Sequence, residues 1–195
     1  MNKENIVTRL KKTLEEISNI INLNLQKINS DIIVSLVEEI IEIHSSGGMI
    51  FLYGAGRSGF IGRTFAQRLM HLGINSCFIS DAVTYRYSEK DLLILISGSG
   101  ETVSPKAIAI KAKEIGGKVV VFTTNPDSSI AKISNFVVLL RGKSKDKAVS
   151  QKTLAPYTSL FDISTLAILD SIGGILMEEL GLDENNIDNR HASLE

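Results

Sequence analysis

The chain of 195 residues has one cysteine, Cys77, no tryptophan and three prolines. A single thiol excludes an internal disulfide and any metal site built on a cysteine cluster. Its apolar surroundings, Cys77-Phe78-Ile79, mark it as a buried core side chain. Charge of one sign is lacking too, since 21 Lys and Arg stand against 22 Asp and Glu, a net charge of -1. That balance gives no broad attraction to nucleic acid or to an anionic membrane. No run approaches the ~20 apolar residues of a membrane-spanning helix. The first residues, Met1-Asn2-Lys3-Glu4-Asn5, have no signal-peptide core. Hydrophobic residues at 44% and charged residues at 22% are those of an ordinary globular protein. The expectation is a soluble, cytoplasmic, single domain over 1–195, large enough for a substantial core.

What is present is an alternation of elements. Ile6, Leu10, Leu14, Ile17, Ile20 and Ile21 recur at helical spacing, as do Ile32, Ile33, Leu36, Val37, Ile40 and Ile43. They predict a helical pair in residues 1–46, near 4–23 and 30–45, ended by Gly47-Gly48. The α/β core follows from 47, with strands near 49–53, 76–79, 91–96, 118–122 and 135–140. Helices are expected near 58–72, 103–115, 128–133 and 158–180, the last mildly broken by Gly173-Gly174, with a polar tail behind it. Strands that alternate with helices argue for a parallel sheet covered on both faces. Their unbroken apolar character fits burial on both sides. The segment from Arg141 to Lys152 holds five Lys or Arg and one Asp among small and polar residues. It reads either as a solvated loop or as a flap that brings positive charge to an anion.

Two loops stand out, each between an apolar strand and a helix: Gly54-Ala55-Gly56-Arg57-Ser58-Gly59 and Ser97-Gly98-Ser99-Gly100-Glu101-Thr102. A helix start leaves backbone N–H groups unpaired, and its dipole favours negative charge. Glycine lets the backbone approach a ligand closely. Gly54, Gly56 and Gly59 also satisfy the dinucleotide fingerprint, with Asp81 22 residues after Gly59 in the place of a ribose-binding acid. That reading leaves the second loop unexplained, finds no room for a substrate domain, and does not account for two helices before the first strand. The second loop sets the hydroxyls of Ser97, Ser99 and Thr102 beside the N–H groups of Gly98, Gly100 and Glu101. Together they offer a phosphate about four to six charge-assisted hydrogen bonds. Helix capping needs only one of those hydroxyls. Ser58 is placed to reach the same ligand from the first loop.

These loops, with Arg68-Leu69-Met70-His71-Leu72-Gly73, Asn125-Pro126-Asp127-Ser128-Ser129-Ile130 and the terminal Arg190-His191-Ala192-Ser193-Leu194-Glu195, resemble the sugar isomerase (SIS) domain family. Within it the chain resembles the 6-phospho-3-hexuloisomerases of the ribulose monophosphate pathway. The resemblance implies a three-layer α-β-α sandwich on a five-stranded parallel sheet, a homotetramer, and no cofactor or metal. It implies interconversion of D-arabino-hex-3-ulose 6-phosphate and D-fructose 6-phosphate. The alternatives are a phosphosugar-binding protein without turnover, or an isomerase of another sugar phosphate. The only partners expected are the sugar phosphate and further copies of the chain, as a dimer or a tetramer.

Moving a ketone from C3 to C2 passes through a cis-enediol and needs a base, for which a carboxylate is suited. The family's base is a Glu in Pro-Met-Gly-(Ser/Thr)-Leu-Phe-Glu, and Pro156-Tyr157-Thr158-Ser159-Leu160-Phe161-Asp162 stands there in this chain. Asp162 is therefore the candidate base, one methylene shorter, with Tyr157-Thr158 in place of Met-Gly. A second departure is Asp81-Ala82-Val83-Thr84-Tyr85-Arg86, where the family tends to have a Glu and a Pro pair. His71 is the other catalytic candidate, or else a cap at its helix end. At helical rise it lies roughly 20 Å from Ser58, so it would serve a neighbouring copy. His191 in the tail is expected to reach a neighbour's site as well. Glu101 either caps a helix or orients the sugar, and Arg57 either meets phosphate or holds structure.

Overall fold

The computed structural model describes residues 2–144 and 152–191. Two helices, α1 (Lys3–Lys27) and α2 (Ser30–Ser45), precede β1 (Ile50–Gly54), α3 (Arg57–His71), β2 (Ser76–Phe78) and β3 (Leu92–Ile96). Then come α4 (Val103–Ile115), β4 (Lys118–Thr123), α5 (Ser129–Ile133), β5 (Phe136–Leu139), α6 (Ser159–Glu179) and α7 (Glu184–Asp188). The five strands form one parallel sheet in the order β2-β1-β3-β4-β5. Chain direction across the sheet reverses at β1, which lies between β2 and β3. A crevice opens at such a switch point, beyond the carboxyl ends of the strands, and both glycine loops emerge there.

The strands read as continuous apolar runs because each face is buried under helices. Ile50, Leu52, Leu92, Ile94, Val120 and Phe122 pack against α2, α3 and α6. Their alternates Phe51, Leu93, Leu95, Val119 and Val121 pack against Ala109, Ala112, Ile130 and Ala131 of α4 and α5. The result is the expected three-layer α/β sandwich. One crossover departs from the pattern, because residues 79–91 join β2 to β3 with neither helix nor strand. Tyr87 fills the gap: its ring meets Phe51 edge-on at 5.0 Å, and its hydroxyl donates to the carbonyls of Lys118 and Asp91 at 3.0 and 3.3 Å. Burial, helped by the nearby Asp91 carboxylate, pushes this phenol well above its ordinary range. Cys77 is buried, and desolvation raises its thiol pKa as well.

Several boundaries differ from expectation. The helix α1 runs on to Lys27 because it is fastened there: Asn24, 3% exposed, donates to the Arg141 carbonyl at 2.9 Å and accepts from the Arg141 N–H at 2.6 Å. Farther up the same helix, Glu16 accepts the N–H groups of Leu154 and Ala155, and Arg9 donates to the Leu154 carbonyl at 2.8 Å. Gly173-Gly174 does not break α6. A Cβ at Gly173 would lie 2.9 Å from Arg68 Cγ, so this glycine lets α3 and α6 approach closely. The polar tail contains α7, whose capping box joins Asp183 and Asn186.

The expectation that no segment approaches membrane-spanning length and apolarity is corrected by α6, which meets both by length and composition. It is a core helix here: Phe161, Leu169, Ile172 and Leu176 are buried against the sheet and its neighbours. Most of the basic stretch 141–152, read as loop or flap, lies outside the described residues. At its start Lys143 is buried and donates to the Thr153 hydroxyl at 3.0 Å.

Candidate functional site

The glycines of the first loop do different work. A Cβ at Gly59 would lie 2.6 Å from the Gly54 carbonyl oxygen, and one at Gly54 would lie 2.8 Å from the Ser58 backbone, so this pair lets α3 start hard against β1. Gly56 has φ +60° and faces open space. It turns the chain into α3 and leaves the cleft beside it clear.

The second loop is braced from behind. The Gly98 carbonyl accepts from Thr124 N at 2.9 Å, the Thr124 hydroxyl at 2.8 Å and the Thr123 hydroxyl at 3.1 Å. The Gly100 N–H donates to Ser97 Oγ at 3.2 Å, and the Glu101 N–H donates to Ser99 Oγ at 3.3 Å. Thr102 occupies the N-cap of α4 with no side-chain capping bond. Its hydroxyl is therefore not spent on the helix, as simple capping would require.

The two loops and the start of α6 enclose a cleft of about 290 Å³. Gly56, Arg57 and Ser58 form one wall, Ser97, Gly98, Ser99 and Thr102 another, and Tyr157, Thr158 and Phe161 a third. Gly98 is needed where Phe161 closes on the loop, since a Cβ there would lie 3.2 Å from its ring. A second cavity of about 260 Å³ lies between α1, α2 and α6, but Ile21, Leu25, Ile28, Ile168 and Ile172 give it apolar walls. A charged ligand belongs in the first.

Asp162 is 2% exposed, at the edge of the cleft. Its Oδ1 accepts from the Ser58 hydroxyl at 3.2 Å, and its Oδ2 accepts from Arg57 Nε at 3.0 Å and the Thr158 hydroxyl at 2.8 Å. The charged pair joins a buried carboxylate to a guanidinium that is largely in water. Ser58, Ser97, Gly98, Ser99, Thr102 and Asp162 are thus brought together. Four candidates are not. Gly100 forms no wall of the cleft, and its N–H donates to the Ser97 carbonyl and hydroxyl at 3.0 and 3.2 Å. Glu101 turns away, and its carboxylate accepts from the N–H of Ser129 at 2.6 Å and its hydroxyl at 2.8 Å. Those bonds hold it below the usual carboxylate range. His71 is buried at the far end of α3, stacked on His191 at 4.5 Å, with Arg190 donating to its carbonyl at 3.4 Å.

Both departures from the family pattern were expected at the sugar pocket; Tyr157 and Thr158 line the cleft, whereas none of Asp81 to Arg86 does. Tyr157 has φ +49°, a costly conformation for a residue with a side chain. The ribose role considered for Asp81 has no support: its Oδ1 accepts both Arg63 Nε and Nη2, at 3.0 and 2.8 Å. That guanidinium stacks 3.9 Å above Phe78, away from the cleft walls. Among the described residues no three His, Cys, Asp or Glu side chains gather as a metal site.

Comparison with known proteins accords with this geometry. The SIS domain family model matches residues 42–167. A 3-hexulose-6-phosphate isomerase of Bacillus subtilis is 42% identical over 151 residues, covering 77% of this chain and 82% of its own. One of Methanocaldococcus jannaschii is 37% identical over 160 residues, covering 82% of each chain. A solved structure from Methanococcus jannaschii, for which a 3-hexulose-6-phosphate isomerase function is inferred, has a TM-score of 0.79 at 34% identity and covers 93% of this chain and 98% of that one. A family match that takes in both loops and the sheet between them leaves one conclusion: the chain belongs to the SIS domain family.

Proposed function

We propose that this protein is a phosphosugar isomerase that interconverts D-arabino-hex-3-ulose 6-phosphate and D-fructose 6-phosphate through a cis-enediol. The observation that carries the reading is the convergence of two glycine loops, from adjacent strands, on one cleft with a buried carboxylate at its edge. The names of the relatives point to the same reaction. In this reading Ser97, Ser99, Thr102 and the backbone of Gly98 form the phosphate cradle, joined by Ser58. The phosphate takes no part in the chemistry; its binding energy holds the carbon chain in register with the base.

Asp162 is the base that removes the C2 proton and returns one at C3. Both its oxygens are engaged before substrate arrives, so one has to be released. A phosphate dianion competes for the donors Ser58 and Arg57, which both line the cleft. Tyr157 and Thr158 stand over the position of the sugar and set its orientation. The enzyme acts in the cytoplasm, where doubly charged sugar phosphates are retained.

The reading includes self-association, as a dimer or tetramer. Ile6, Val7, Leu10 and Leu14 of α1 are all more than 40% exposed, and an apolar stripe of that length asks for a covering surface. His71 and His191, remote from their own cleft, would then act as a pair at the site of another copy. The test is coupled formation of fructose 6-phosphate from the hexulose phosphate, with Asp162→Asn as the control. Turnover lost in the variant supports the assignment. Turnover unaffected by it reassigns the base, and tight phosphosugar binding without wild-type turnover makes this a binding protein.

A further inference from the structure

We infer that Glu101 is a positioning residue, which makes the Ser97–Thr102 loop an anion cradle by clamping it to the start of α5 rather than by touching substrate. The inference rests on the phosphosugar reading of the cleft and adds to it the part that orients the loop. Glu101 Oε1 accepts the Ser129 N–H and Oε2 accepts the Ser129 hydroxyl, at 2.6 and 2.8 Å. Lys106, one turn into α4, donates to that same hydroxyl at 2.9 Å and lies 3.8 Å from the Glu101 carboxylate. Loop, α4 and α5 therefore meet in one charged cluster behind the cleft.

Peptide geometry carries the consequence to the ligand. In a trans peptide the carbonyl of one residue and the N–H of the next point in opposite directions. The Gly98 carbonyl is bound by Thr123 and Thr124, so the Ser99 N–H points away from β4. The Gly100 carbonyl accepts the Ile130 N–H at 3.2 Å, so the Glu101 N–H points away from α5 and reaches Ser99 Oγ. Holding the carbonyls at the back turns the Ser99 N–H to the front and fixes the Glu101 N–H on Ser99 Oγ, so that this cleft-lining hydroxyl keeps its own proton for an anion. The second of these peptides depends on where Ile130 lies, and the Glu101 clamp holds the residue next to it.

Gly100 shows how little slack there is. It has φ +66°, and a Cβ on it would collide with the Ser128 side chain, the N-cap of α5. If α5 moved, the Gly100 peptide would be free to rotate and the Glu101 N–H would release Ser99 Oγ, the hydroxyl that lines the cleft.

The test compares Glu101→Ala and Ser129→Ala with the wild type. Inorganic phosphate affinity is read by calorimetry, KM and kcat by hexulose phosphate turnover, and folding by thermal melting. Glu101→Ala is expected to weaken phosphate binding and raise KM together by about tenfold, the scale of charge-assisted hydrogen bonds, with kcat within about twofold. Ser129→Ala keeps the N–H bond and is expected to show a smaller effect of the same kind with an unchanged melt. A fall in kcat at constant KM and phosphate affinity would place Glu101 on the reacting carbons and overturn the inference. Unchanged phosphate affinity in both folded variants would overturn it too. Phosphate affinity is measured without turnover, so failure of the isomerase reading is recognised separately from failure of the clamp.

Discussion

Ser58 and Asp162 lie 104 positions apart in the chain and meet at 3.2 Å. The contact joins the first loop to the first turn of α6, and with Arg57 and Thr158 it closes the polar side of the cleft. Ser58→Ala removes the proposed phosphate donor and one of three partners of the carboxylate. It is expected to raise KM by about tenfold and cost only about 1 kcal/mol of stability, because Arg57 and Thr158 still satisfy Asp162. Steady-state kinetics beside a denaturant titration decide this. A collapse of stability would make Ser58 chiefly structural.

Gly56 and Gly100 have nearly the same φ and should respond differently to alanine. At Gly56 the side chain would enter open space, so the cost is backbone strain alone, about 1–3 kcal/mol for φ +60° with ψ −129°. At Gly100 the strain of a positive φ is joined by a collision with Ser128, which has no room to move at 0% exposure. Gly100→Ala should lose phosphate binding altogether and melt several degrees below Gly56→Ala. Equal melting points for the two would contradict the packing described.

How far the site was legible follows from distances along the chain. The loops were visible because their glycines and hydroxyls sit within six residues of one another, next to an apolar strand. The parallel sheet and its covering layers followed from the same local patterns, and Asp162 was named as a candidate from the family's motif, but the strand order was not legible because it is set by crossovers between distant segments. The partners of Asp162 were not legible, since nothing at positions 57 or 58 announces an acid a hundred residues away. The place of Glu101 was lost for the same reason: only the fold sets Ser129 beside it. Two features had usable signals. Asp183 three residues before Asn186 is a capping pair that foretells α7, and residues 79–91, rich in Ser, Asp and Tyr and without an apolar helical period, foretell a crossover without a helix.

Tyr87 carries a pH dependence whose sign is fixed. Its folded pKa lies above the value of about 10 that it takes in the unfolded chain. Its stabilising effect is complete below pH 10 and is lost as pH rises toward the folded pKa, because only the unfolded chain releases the proton over that interval. Tyr87→Phe gives up the bonds to Lys118 and Asp91, costs about 1–3 kcal/mol at neutral pH, and should flatten the alkaline limb of the stability curve. Chemical denaturation between pH 8 and 11 measures both.

The stripe on α1 predicts a change of mass. Leu10→Asp with Leu14→Asp should leave the fold intact, since both side chains are exposed at 57% and 56%, and should lower the molar mass in sedimentation to that of one chain. If His71 and His191 act on another copy, isomerase activity falls with it. An unchanged mass would remove α1 as the contact.

Asn24 gives α1 a further meaning. The reciprocal pair of hydrogen bonds with Arg141, and the grip of Glu16 and Arg9 on residues 154–155, act as a splint along the outside of the fold. What it holds in line is the stretch of chain that delivers Tyr157 and Thr158 to the third wall of the cleft. A helix that lends no residue to the cleft thus braces the chain leading into one of its walls, and removing those first 27 residues should loosen that wall.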